Sequence, residues 1–144
     1  EKKNIKKFYI DRTDNTSNRL PQRLIGNEDE VKNYLIKNNF VSVKLHDIKF
    51  TEQVELFNNA ECIVGLHGGG FANLVFCKPE TKIIELRSTH AGKPIENLAK
   101  KNGLNYSSIS VKAKQIEKLN FPNQQGSIDV PINSLIEILE DKNI

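Results

Sequence analysis

The chain has 144 residues, 38% of them hydrophobic and 27% charged, with a net charge of +3. That is enough chain for one domain with a real core and an ordinary composition for a soluble globular protein. Scattered lysines and only 7% aromatic residues exclude a basic stripe with stacking aromatics, so no nucleic-acid partner is expected, while the mild positive excess suits a small anionic ligand. No run approaches the ~18 apolar residues that a membrane span needs.

In chain order, "KKFYIDR" predicts a short strand, and residues 13–26, polar with Pro and Gly, predict a long loop. Asn27 stands where a helix opens, with Glu30 three residues on as a capping-box partner. Val31, Tyr34 and Leu35 at i, i+3, i+4 then form a buried stripe. "FVSVKL" alternates as a strand does, and Thr51 is placed to cap the next helix, with Val54, Phe57 and Ala60 on one face. The continuous apolar run "CIVGL" predicts a central parallel strand covered on both faces. A helix is expected to start within "GGFANLVF", followed by a strand at "TKIIELR". "PIENLAKKNG" has Pro near its start and Gly103 at its end, as a helix does. "LNYSSISV" is a further strand, residues 112–130 are a polar stretch, and "PINSLIEILEDKN" closes as a helix through Ile132, Leu135, Ile136 and Leu139.

Alternating strands and helices predict an α/β fold: a Rossmann-like parallel sheet with helices on both faces. Ligands of such sheets bind beyond the carboxyl ends of the strands, where His67 and Glu85 fall. Cys62 and Cys77 lie in apolar runs without a CxxC pair, which predicts buried reduced thiols and a cytoplasmic location.

"VGLHGGGFANLVF", residues 64–76, carries the strongest functional signal. An esterase builds its oxyanion hole from HGGG, but no GxSxG elbow accompanies it here. Without GK[ST] it is no Walker loop, and Gly68-x-Gly70 with Asn73 only half-matches a dinucleotide fingerprint. What the glycines do permit is close approach of backbone to an anion at a helix N-terminus. Arg12, Arg19 and Arg23 surround the first loop, and arginine forks suit phosphate oxygens. The competing reading is a tight turn with no ligand and solvated loop charges. His46 and His90 have no zinc-ligand spacing, and "DRTD" is not a DxD motif, so no metal site is expected.

"YIDR", "RLIGNEDEV" and "FTEQVELFNNAECIVGLHGGGFANLVFCKPETKIIEL", in that order over about residues 8–87, resemble the donor-binding half of the family 61 glycosyltransferases. The family has EQ-x-x-x-F-x-x-A, then HGAGL-x-N-x-x-F and a strand ending in Glu. This chain has Gly69 where the family usually has Ala, and Phe71 where it usually has Leu. Its first loop is longer than expected, which leaves Arg19 and Arg23 as rivals for one phosphate role. Arg23, four before Asn27, fits better.

The resemblance implies the C-terminal domain of a two-domain GT-B enzyme. Residues 1–144 would be one nucleotide-sugar-binding domain of a longer protein whose N-terminal domain is missing, an expectation that the lack of any methionine also favours. It implies an inverting glycosyltransferase that needs no metal or other cofactor. Such an enzyme moves a sugar such as xylose or N-acetylglucosamine from a UDP donor to a glycan acceptor in polysaccharide or glycan biosynthesis. Attachment of the parent protein at the inner membrane face stays open. Residue by residue, Arg12 and Arg23 would meet the diphosphate, and His67 with the Gly68, Gly69 and Gly70 backbone would face the phosphates or the sugar, His67 being the catalytic candidate. Asn73 would support that loop or reach the donor, Glu85 would take a ribose hydroxyl, and Asn27 and Glu28 would brace the arginine loop or line the cleft. A non-catalytic nucleotide-binding module and a dinucleotide-binding domain of an oxidoreductase are the alternatives.

Overall fold

The computed structural model describes residues 4–12, 24–114 and 127–141. Five strands form one all-parallel sheet in the order β3-β1-β4-β5-β6. They are β1 (Lys7–Ile10), β3 (Val41–Val43), β4 (Cys62–Leu66), β5 (Lys82–Ser88) and β6 (Asn105–Val111). A second, two-stranded parallel sheet pairs β2 (Leu24–Ile25) with β7 (Ser127–Ile128). The helices are α1 (Glu28–Lys37), α2 (Phe50–Asn59), α3 (Pro94–Lys101) and α4 (Ile132–Glu140). Two 3-10 helices, Leu45–Asp47 and Gly69–Phe76, complete the described elements.

Strand alternation divides the core into two layers. Tyr9, Cys62, Val64, Leu66, Ile84, Leu86 and Ile109 face α1 and α4, packing on Val31, Leu35 and Leu135. Phe8, Ile10, Ile63 and Ile83 face the other side, against Phe57 of α2, Phe71 and Leu74 of the longer 3-10 helix, and Ile95 and Ala99 of α3. Covered on both faces, β4 is buried at every position, as its unbroken apolar run predicts. The sheet thus has the predicted parallel, Rossmann-like form. Both cysteines are buried free thiols, pushed up by burial to about 11 for Cys62 and about 12 for Cys77.

Several local expectations change. The Asn27 side chain does not cap α1. Its amide instead spans the Val130 backbone, accepting from the Val130 N–H at 2.8 Å and donating to the Val130 carbonyl at 2.8 Å. Two bonds to one peptide replace one bond to a helix terminus, and the contact with Glu30 is reduced to a 3.3 Å hydrogen bond between side chains. Thr51 lies inside α2, whose N-cap is Lys49, and no side chain caps that helix. The expected helix after "HGG" is a 3-10 helix of eight residues. Part of the first predicted loop and part of the polar stretch pair as β2 and β7, extended by a bond from the Gly26 N–H to the Ile128 carbonyl at 2.8 Å. Ile25, Ile128 and Val130 bury their side chains in the α1–α4 layer, so this clasp is part of the core.

The strand order positions the site. From β1 the chain moves outward to β3, then returns past β1 to β4 and continues to β5 and β6. The direction of winding reverses between β1 and β4. A crevice opens at such a reversal, outside the carboxyl ends of the two strands. Arg12 follows β1 and His67 follows β4 at that point.

Candidate donor-binding site at the carboxyl edge

Arg12 and the glycine turn meet physically. The Arg12 guanidinium donates from Nη1 to the His67 carbonyl at 3.3 Å. A Cβ on Gly68 would lie 3.2 Å from the Arg12 Cζ and would overlap Nη1. Gly68 therefore leaves the space that the guanidinium occupies, and any side chain there would make the guanidinium move. Gly70 serves a different need, since its Cβ would come within 3.1 Å of Ile10 Cγ2 and 3.3 Å of Leu45 Cδ1. Gly69 opens the 3-10 helix between them. Below the turn, the fully buried ring of Phe71 lies over Gly65, where a Cβ would stand 3.0 Å from the Phe71 Cζ. Phe71 thus fills space that Gly65 leaves empty.

The turn is braced from the side. Asn73 donates to the Gln53 Oε1 at 2.8 Å, and Gln53 donates to the Leu45 carbonyl at 2.8 Å. Asn73 supports the loop from within the fold, and Gln53 of the "EQ" pair ties α2, the short 3-10 helix and the glycine turn together.

His67 continues the ladder of β4, its N–H bonding the Leu86 carbonyl at 2.8 Å. Its Nδ1 makes a short contact with Glu85 Oε2. The other Glu85 oxygen accepts from the Tyr106 hydroxyl, and the Arg87 Nε lies 4.0 Å from it. Glu85 is 1% exposed and His67 6%. The expectation that Glu85 offers its carboxylate to a ribose meets a different arrangement: both oxygens are turned to side chains of the fold. Burial first, and then the bond to Glu85, raise the Tyr106 phenol well above its usual range, so it stays a donor. The Arg87 Nη2 donates to the Ala91 and Gly92 carbonyls, and its buried Nε has no hydrogen-bond partner among the described residues.

Glu28 and Asp11 form a separate polar cluster at the ends of β1 and β3. Tyr9 donates to Glu28 at 3.1 Å, Lys32 bridges to Asp11 at 2.7 Å, and Ser42 donates to the same Asp11 oxygen at 3.0 Å. Glu28 and Asn27 thus brace the start of α1 against β1 and against the backbone that follows β7. Arg23 and Arg19 lie outside the described residues. His46 and His90 are exposed. Sequence reasoning missed Tyr106, Arg87 and Gln53 as members of the constellation. Only strand register brings Tyr106 to Glu85, Arg87 shares the face of Glu85 two residues on along β5, and only the fold brings Gln53 to Asn73.

The sequence profile described as Glycosyltransferase 61 matches residues 1–84. The chain is 28% identical over 109 residues to an EGF domain-specific O-linked N-acetylglucosamine transferase of Gallus gallus, covering 72% of this chain and 19% of that protein. It is 26% identical over 133 residues to the beta-1,2-xylosyltransferase RCN11 of Oryza sativa subsp. japonica, covering 86% of this chain and 23% of that protein. It is 31% identical over 80 residues to a beta-1,2-xylosyltransferase of Arabidopsis thaliana, covering 55% of this chain and 15% of that protein. The chain spans about a fifth of the length of these relatives. With the profile match extending over more than half of its residues, from β1 through the glycine turn into β5, the chain belongs to glycosyltransferase family 61.

Proposed function

We propose that this chain is the donor-binding half of a glycosyltransferase that uses a nucleotide sugar, with a UDP-sugar as donor. The observation that carries the reading is the meeting of Arg12, the His67 carbonyl and the Gly68–Gly70 turn at the reversal between β1 and β4. Family membership supports it, and the sugars named in its relatives, xylose and N-acetylglucosamine, are the candidates for transfer.

In the proposed reaction an acceptor hydroxyl attacks the anomeric carbon as the bond to the diphosphate oxygen breaks, with inversion. Negative charge grows on the leaving nucleoside diphosphate. Arg12, Arg23, His67 and the N–H groups of the turn stabilise that charge without a metal. Removing one such preorganised donor costs ~3–4 kcal/mol of barrier. The general base for the acceptor comes from the N-terminal domain of a GT-B enzyme, outside this chain. The parent protein acts in glycan or polysaccharide synthesis.

The test is an amide NMR titration with UDP, UDP-xylose, UDP-N-acetylglucosamine, GDP and NAD, on the natural chain and on Arg12→Ala, Arg23→Ala and His67→Ala. Uridine nucleotides are expected to shift the amides of residues 67–73, with weaker binding in each variant. Silence at millimolar UDP, or shifts by NAD in place of UDP, would sink the reading.

A further inference from the structure

We infer that Gln53 is a positioning residue for the glycine turn. Its side-chain amide hangs the 3-10 helix Gly69–Phe76 from the connection between β3 and α2, and so sets where the Gly68–Gly70 backbone stands relative to Arg12. The inference rests on the diphosphate reading for what that backbone meets, but the placement of the turn stands without it.

A 3-10 helix of eight residues is long for its kind, because its hydrogen bonds are poorly directed and such runs are usually short. It needs support from outside. Side chains three apart in a 3-10 helix eclipse one another, so Gly70 and Asn73 share a face. Both meet the same neighbour. At Gly70 a Cβ would lie 3.3 Å from Leu45 Cδ1, so the backbone packs close on that side chain. At Asn73 the Nδ2 donates to Gln53 Oε1 at 2.8 Å, and Gln53 Nε2 donates to the Leu45 carbonyl at 2.8 Å. Nε2 also reaches the Ile48 carbonyl, at 3.3 Å. One face of the helix is thus seated on Leu45 twice, by close packing at its first turn and by a hydrogen-bonded bridge at its second.

The polarity of the bridge is fixed too. A backbone carbonyl only accepts, so the NH2 of Gln53 is turned to Leu45 and Ile48. The Gln53 oxygen is left for Asn73, which must present its own NH2. A glutamate at position 53 would set acceptors against acceptors, and an apolar side chain would bridge nothing. Gln53 is itself anchored in α2, where its N–H bonds the Lys49 carbonyl at 2.9 Å. The segment held in this way is the one that bears on Arg12. The Phe71 N–H closes the turn on the Gly68 carbonyl at 3.2 Å, next to the His67 carbonyl that accepts from Arg12.

The experiment reads the turn and its ligand separately. The variants are Gln53→Met, which removes the bridge, Gln53→Glu, which keeps its shape and acceptor but loses both donors, and Asn73→Ala. Each is checked for fold by circular dichroism, and if Gln53→Met fails that check the isosteric Gln53→Glu carries the test. Backbone amide spectra are expected to show the signals of residues 68–71 moved in both Gln53 variants, with those of β6 and α4 in place. The side-chain NH2 signals of Asn73, assigned with Asn73→Ala, move in Gln53→Met. UDP affinity falls ~10-fold in Gln53→Met and in Gln53→Glu, the worth of one hydrogen bond. Asn73→Ala weakens UDP binding in the natural chain and costs nothing further in Gln53→Met, where the bridge is already broken. Turn signals that stay in place, or a Gln53→Glu chain that binds UDP as the natural chain does, refute the positioning role. Penalties that simply add refute it as well, since Gln53 and Asn73 would then act apart. If the natural chain does not bind UDP, the diphosphate reading fails and the spectra alone decide. Turn signals moved in both Gln53 variants then uphold the placement, and unmoved signals refute it.

Discussion

Replacing Gly68 by alanine is the sharpest test of how the turn works. The new Cβ would stand 3.2 Å from the Arg12 Cζ and would overlap Nη1. Ordinary contact needs more room, so the guanidinium must shift by about 1 Å, a displacement that can cost ~10²-fold when it misplaces a group at a reacting centre. The shift breaks the 3.3 Å bond to the His67 carbonyl. Gly68 itself is in extended backbone, which any residue adopts, so the substitution adds no backbone strain. The expected result is an unchanged melting temperature with UDP binding ~10-fold weaker, or about 1.4 kcal/mol. Calorimetric titration of the natural chain, Gly68→Ala, Arg12→Ala and the double variant reads this as a cycle. Because the methyl acts only by moving Arg12, Gly68→Ala should cost nothing further once Arg12 is alanine. Equal penalties in both backgrounds would show that the glycine matters for some other reason.

The remaining predictions concern the frame around the site. Phe71→Ala removes a fully buried ring packed over Gly65 and should cost ~3–5 kcal/mol in urea unfolding, whereas Phe71→Leu should cost less than ~1.5 kcal/mol. Asn27→Leu leaves the Val130 N–H and carbonyl without their side-chain partner and should destabilise the chain by ~1–3 kcal/mol in the same assay. Cys62 and Cys77 should resist thiol reagents in the folded chain at pH 8 and react on unfolding. Their folded values, about 11 and about 12, lie above the ordinary 9.0, so the unfolded chain releases these protons first as pH rises. Stability from these thiols is therefore intact below pH 9 and falls between pH 9 and the folded values, by about 1.4 kcal/mol per pH unit per thiol. Denaturation midpoints that stay level from pH 9 to 11 would contradict the assigned burial.

Patterns that depend only on neighbours in the chain were legible in the sequence. The unbroken apolar run of β4, the i, i+3, i+4 stripe of α1 and the Pro and Gly103 bounding α3 each report a local periodicity or a backbone constraint. Gly103 does adopt the left-handed conformation at the end of α3. The position of His67 at a strand's carboxyl end followed from the same logic. Misreadings arose where a side chain had two suitors. Asn27 reads as a helix cap because caps are local, yet the backbone of Val130, 103 residues away, captures its amide. The partners of Glu85 were hidden for another reason: its contacts with His67 and Tyr106 depend on the register of three strands, which no spacing within one segment encodes. β2 and β7 were hidden for the same reason: two residues carry no periodicity, and their pairing is visible only once the chain ends meet.

The parallel sheet also separates what can change from what cannot. Connections at the amino edge, residues 38–40, 60–61, 77–81 and 102–104, are tight returns into the next strand. The long excursions, between Ile10 and Glu28 and between Val111 and Ile132, both leave from the carboxyl edge, where the proposed donor would lie. Variation in substrate preference can therefore accumulate there while the layers beneath stay intact. The β2–β7 clasp restricts that freedom in one respect, since it stitches the two excursions to each other. Loops grafted from a relative to alter sugar choice would have to travel as a matched pair; either one transplanted alone would arrive without its partner strand.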